Sequence, residues 1–320
     1  MNHADRTDIQ LSSFVDTSKP RSILADAKRF FRADYPKADF TRVEKAFLLA
    51  KRLYDGRYPG YLSCAVAYHD FVHSLSVFAA ASRLLDGCEL SGTAIGPDRA
   101  AETLVAALFH DCGFIREEGD QSGTGAQYTK VHVDRSAAFV RREAGALGLA
   151  GESAARAARM IFATDLAKPW GDLRFEDEGE GAGAQALAAA DLLGQMADRV
   201  YLEKLLFLYY ELREAGIEGY GSPFDILRKT AGFYESTKAR LDGPLGPVSA
   251  KSRDHFSARY GIDEDLYRTA IARQMAHLDA IIADHTGNFR GKLKRLDLAA
   301  IEHRRSGVAQ SDLPASYSDR

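Results

Sequence analysis

Six side chains spread over more than a hundred residues are of the types that hold metal and move protons. They fall in four short stations: Tyr68-His69-Asp70-Phe71-Val72-His73, His110-Asp111, Ile161-Phe162-Ala163-Thr164-Asp165-Leu166 and Ala189-Ala190-Asp191-Leu192. Each sets imidazole or carboxylate in an apolar, helix-forming run. Imidazole and carboxylate together ligate divalent cations, and a cation-activated water attacks phosphorus. On a helix, the spacing of His69 and His73 puts both rings on one face, so one can ligate metal while the other faces substrate. The plain alternative is a polar stripe, but the surrounding Leu75, Val77, Phe78 and Leu84 argue for burial, and buried imidazoles need partners. His110-Asp111 ends the run Leu104-Val105-Ala106-Ala107-Leu108-Phe109, too apolar for a surface helix, and Gly113 leaves room for the helix end.

Asp191 lies in Leu187-Ala188-Ala189-Ala190-Asp191-Leu192-Leu193, where an ionised carboxylate is costly unless paired or metal-bound. A cap or a salt bridge is its simpler use. Asp165 is similar but nearer a helix end, where it either bonds to backbone or orients a ligand histidine. His132 opens a helix after the His-Asp pair; it ligates a second ion, touches phosphate or sits partly exposed. His255, His277, His285 and His303 fall outside the pattern and read as structural or surface residues.

The elements that must position these residues are helical. Periodicity predicts helices from Ser22, over Thr41–Tyr54, His69–Leu85, Asp98–Asp111, Val131–Leu147 and Ser153–Thr164. Beyond these it predicts a long buried helix over Ala184–Arg213, then Pro223–Leu241, Glu264–Ile282 and Lys292–Glu302. The acidic, Gly-rich stretch Gly171–Gly183 reads as a solvated loop. No alternating strand run and no repeat stands out, so the expected fold is all-α, a multi-helix bundle around a buried metal site. Residues 1–20 read as a flexible lead, 21–242 as the catalytic domain, 243–304 as a helical extension and 305–320 as a tail.

Bulk properties narrow the function. The 320-residue chain is 46% hydrophobic, enough for a full core, with a formal net charge of -3. That charge argues against a general nucleic-acid binder but not against a nucleotide substrate, because a metal can supply positive charge. Cys64, Cys88 and Cys112 form no CxxC pair and read as reduced thiols. No apolar run approaches the ~18 residues of a membrane span, and the start lacks a signal-peptide pattern. The expectation is a soluble, cytoplasmic protein without membrane partners.

Taken in order, the stations resemble the HD superfamily of metal-dependent phosphohydrolases, and within it the catalytic domain of cyclic-nucleotide phosphodiesterases. Tyr68-His69-Asp70-Phe71-Val72-His73 is similar to that family's Tyr-His-Asn-x-x-His motif, His110-Asp111 to its His-Asp pair, Ala163-Thr164-Asp165-Leu166 to Ala-Thr-Asp-Met, and Ala190-Asp191-Leu192 to Ala-Asp-Leu. The resemblance spans residues 40–240. It implies two divalent ions (Mn, Mg, Zn or Fe) held by His73, His110, Asp111 and Asp191, with Asp111 bridging, and His69 as the general acid. It implies hydrolysis of a nucleotide phosphoester, cyclic or linear, by a metal-activated hydroxide. Other HD-type nucleotide phosphatases and nucleotidohydrolases share the same core, whereas silent HD modules that bind a nucleotide or a protein partner typically lose ligands that this chain keeps. Two departures stand out. Cys112-Gly113-Phe114-Ile115 follows the His-Asp pair where the family usually has a further histidine, leaving His132 as a substitute. Thr230 stands where the family's base-reading glutamine is expected, ahead of Gly232-Phe233; Phe233 can still stack on a base, but threonine cannot make the bidentate amide contact. Tyr68, Thr230 and Phe233 are the expected substrate-binding positions.

Overall fold

The computed structural model describes residues 9–284, 288–296 and 298. In chain order the helices are α1 (Pro20–Asp34), α2 (Thr41–Tyr54), α3 (Phe71–Leu90), α4 (Pro97–Phe109), α5 (His132–Arg142), α6 (Ala144–Leu147) and α7 (Gly151–Ile161). They continue with α8 (Glu178–Met196), α9 (Tyr201–Glu214), α10 (Pro223–Asp242), α11 (Gly246–Ser249), α12 (Lys251–Tyr260) and α13 (Leu266–Ile282). Short 3-10 turns join several of them. Among the described residues no strand forms; Tyr61 and Glu117 make one isolated antiparallel bridge. The all-α expectation holds. No helix among these residues is long and apolar enough to cross a membrane.

The bundle is organised on two helices that have almost no wet face. Every residue of α3 from His73 to Cys88 is buried, as is most of α8. A helix apolar all round belongs inside a core. The two cross in close contact: a Cβ at Gly194 would stand 3.0 Å from the Ser76 carbonyl carbon. Both begin at aspartate caps, Asp70 accepting from the His73 N–H and Asp177 from the Glu180 N–H, which satisfies backbone donors that the first turn leaves open. Helices α1, α4 and α12 pack around α3, and α4, α7 and α13 around α8.

Several boundaries differ from the sequence expectation, each for a local reason. The solvated loop ends at Asp177: Glu178 and Glu180 form the first turn of α8, where negative charge suits the helix N-terminus, and buried Glu180 binds Arg159 at 2.7 Å. The single long helix breaks between Met196 and Tyr201, where the Asp198 carboxylate accepts from the Val200 N–H and pairs with Lys204. Helix α12 is too polar to announce itself by periodicity; tertiary ion pairs hold it, His255 and Arg259 both reaching Asp86 of α3. The expected lead is packed from Leu11 on: Leu11 is in the core, and Arg83 donates to the Phe14 carbonyl. Elements after Gly243 share the same apolar core as α3 and α8 through Leu245, Phe256, Leu266 and Leu278. Residues 293–296, expected as helix, are not helical; residues 297 and 299–302, the 305–320 tail, His285 and His303 lie outside the described residues.

Candidate metal centre

Three chain segments deliver the site. His73 sits in the first turn of α3, its position fixed by the Asp70 cap. His110 follows the last residue of α4, and Asp111 comes next as that helix gives way to the 3-10 turn Cys112–Phe114. Asp191 lies mid-way along α8. His73, His110 and Asp111 form a buried cluster able to hold a metal ion. The His73 and His110 Nε2 atoms are 3.2 Å apart, and Asp111 Oδ2 lies 3.2 and 3.1 Å from them. Asp191 Oδ1 is 3.2 Å from the His73 nitrogen and 3.6 Å from that of His110.

The donor set and its spacing fit a divalent cation. Three N and O donors 3.1–3.2 Å apart are edges of a coordination shell about 1.9–2.2 Å in radius, for tetrahedral or octahedral packing, which matches ordinary metal–N and metal–O lengths. His110 Nδ1 donates to the Ala107 carbonyl at 3.0 Å, so its Nε2 lone pair faces the cluster. In the bare protein the groups hold one another. Burial would lower His73, but its hydrogen bonds to Asp111 and Asp191 raise it; burial likewise opposes His110, which the Asp111 charge lifts well above the usual range. Burial would raise Asp111, yet the charge and contact of His110 keep it well below, and Asp191 is held low against burial by His110 and His73. Two ionised carboxylates thus sit in a nearly dry cluster, which demands compensating positive charge.

His69 is close by but not on the helix. Asp70 has extended backbone and caps α3, so His69 precedes the helix and the one-face reading of His69 and His73 does not hold. What positions His69 is Glu211 of α9, 2.7 Å from its Nδ1. Glu211 is 1% exposed, and its other oxygen accepts from the Ala67 and Tyr68 N–H groups at 2.8 and 2.6 Å. The sequence reading missed this residue; the signal was a glutamate directly after the apolar run Leu205-Leu206-Phe207-Leu208-Tyr209-Tyr210 and before Leu212. Phe114 is the other missed neighbour. Its ring stacks between those of His69 and His132, 4.4 Å from each.

His132 joins the site. Its Nδ1 donates to the Thr129 carbonyl at 2.7 Å, and Nε2 lies 3.4 Å from Asp111 Oδ1, the oxygen turned away from the main cluster. Burial pulls its pKa down and favours the neutral, ligating form. A Cβ at Gly113 would stand 2.0 Å from the His132 carbonyl oxygen, so that position must stay bare for the two segments to meet.

The remaining expected positions lie differently. Tyr68 is buried beside His69 and donates from its hydroxyl to Gln195 at 2.7 Å. Asp165 accepts from the Ala167 N–H, a local turn contact. The Thr230 hydroxyl is buried and donates to the Ile226 carbonyl of its own helix. Phe233 is half-buried against the core. His255 is structural, bound to Asp86 and edge-on to Phe30. The three cysteines are free thiols.

Residues 117–241 are similar to a family described as Npun_R2479-like. That stretch carries His132, Asp165, Asp191 and Glu211, while His69, His73 and the His110-Asp111 pair lie before it. No curated protein and no solved structure matches the chain.

Proposed function

We propose that the protein is a metal-dependent phosphohydrolase of phosphodiesterase type, acting on a nucleotide phosphoester. The observation that carries this reading is the meeting of His73, His110 and Asp111 donor atoms at 3.1–3.2 Å, with Asp191 alongside. A divalent cation held there supplies Lewis acidity toward a phosphoryl oxygen and an attacking water. The protein's part is positioning and proton transfer. His73 and His110 offer neutral nitrogens once their protons give way to the cation, and Asp111 and Asp191 bring the charge that retains it. Asp111, with one oxygen toward the two histidines and the other toward His132, is shaped to serve two centres. His69 would act as the imidazolium, with Nδ1–H donating to Glu211 and Nε2–H left as the proton donor for the departing oxygen. Phe114 fixes the plane of that ring and excludes water from one face.

The test is metal analysis alongside turnover of cyclic nucleotides, cyclic dinucleotides, linear nucleotides and an aryl phosphodiester with Mn, Mg, Zn or Fe. His110→Ala and Asp111→Ala should lose both metal and turnover; His69→Ala should retain metal and lose turnover. A wild-type protein that binds metal yet hydrolyses none of these would be a binding module, and the proposal would fail.

A further inference from the structure

Arg240, near the end of α10, is a cation that the function above leaves without a task. Its Nη2 donates to the Ala163 carbonyl at 3.0 Å, tying the guanidinium to the turn Phe162–Thr164, which packs on α8. Its Nε is buried and finds no acceptor among the described residues, and no carboxylate there comes within ion-pair distance. Arg156, Arg159 and Arg259 are instead paired, with Glu102, Glu180 and Asp86, while Arg83 and Arg116 share with Arg240 a buried Nε that lacks an acceptor. An unsatisfied N–H of a charged group costs free energy unless water or a ligand meets it. The carboxylates whose field acts on Arg240 are Asp191 of the metal cluster and Asp165. The same turn gathers further positive charge, with the Lys168 ammonium 4.2 Å and the Arg141 guanidinium 5.9 Å from the Phe162 ring centre.

From this arrangement we infer that Arg240 binds the non-bridging oxygens of the substrate phosphate, and that the enzyme selects its substrate by phosphate charge and not by base. The planar fork suits phosphate oxygens, and one of its donors, Nε, has no acceptor among the described residues. The second half follows from α10 itself. The Thr230 hydroxyl is committed to Ile226 and buried, so it offers a base neither donor nor acceptor, and Phe233 provides only an apolar face. Stacking on an aromatic ring is tolerant of base identity. The inference deepens the phosphohydrolase reading and rests on it for the identity of the substrate, though anion binding can be measured without turnover.

The experiment compares wild type, Arg240→Gln and Arg240→Lys. Expected for Arg240→Gln is a KM at least tenfold higher with kcat within about threefold, unchanged metal content, and an intermediate KM for Arg240→Lys. Purine and pyrimidine forms of the best substrate should differ by no more than about threefold in kcat/KM. An unchanged KM, loss of metal in Arg240→Gln, or strong base discrimination would overturn the inference while leaving the hydrolase reading intact. If no substrate is turned over, inorganic phosphate binding to the metal-loaded wild type and Arg240→Gln decides the matter alone: tenfold weaker binding supports the role, and equal binding refutes it.

Discussion

Glu211→Gln is the sharpest probe of the acid role proposed for His69. The wild-type carboxylate accepts three hydrogen bonds, from Ala67 N–H, Tyr68 N–H and His69 Nδ1–H. Glutamine has nearly the same shape. Its amide oxygen can keep the two backbone donors, but its NH2 then faces the His69 Nδ1–H, donor against donor. A charge-assisted bond of about 1.5–3 kcal/mol is thereby replaced by a mismatch. His69 must turn away or give up its Nδ1 proton; the first moves Nε2 out of line, and the second leaves a neutral ring whose Nε2–H is a far weaker acid than that of the imidazolium. If about 2–3 kcal/mol of that is felt in the transition state, kcat falls about 30- to 150-fold. The metal cradle is built from α3, α4 and α8 and does not touch Glu211, so metal content should stay the same. The assay is kcat and KM at saturating metal, with metal analysis and a thermal melt on the same sample. A variant with wild-type kcat would refute the role of His69 as acid, and one that lost its metal would show that Glu211 supports the cradle instead.

Two other perturbations test the frame around the site. Gly113→Ala forces a Cβ to within 2.0 Å of the His132 carbonyl oxygen, an overpacking that should cost about 1–3 kcal/mol and lower both Tm and metal affinity; an unchanged melt would mean the two segments separate freely. Asp34 is pushed up to about 7 by burial and the neighbouring Asp86, against the pull of Arg259. Because a proton is held more tightly in the folded state, its contribution is full below the unfolded pKa of about 3.9 and is lost as pH rises through 7, so Asp34→Asn should flatten the stability profile between pH 5 and 8 and gain about 1 kcal/mol at pH 8 after solvent screening. A denaturant series across that range that gave the same slope for both proteins would contradict this.

The all-helical architecture was legible because apolar periodicity is a local property. Thr41–Tyr54 coincides with α2, and the wholly apolar runs of α3 and α8 announce central helices. His73, His110, Asp111 and Asp191 were expected as one group from the resemblance of the ordered stations to the HD phosphohydrolases; the cost of charge in an apolar run said only that each needs a partner. Pairings between distant segments left no such trace. Glu211 meets His69 across 142 residues, Arg259 meets Asp86 across 173, and neither contact alters the local pattern that a sequence reading uses. The same holds for side-chain direction. Whether His69 begins a helix turned on the Asp70 cap, and whether Thr230 faces a ligand turned on which carbonyl its hydroxyl reached. Composition and spacing therefore determined most of the helices and singled out the candidate residues; only packing, by bringing α3, α4, α8, α9 and α10 together, decided which oxygen and nitrogen atoms face one another.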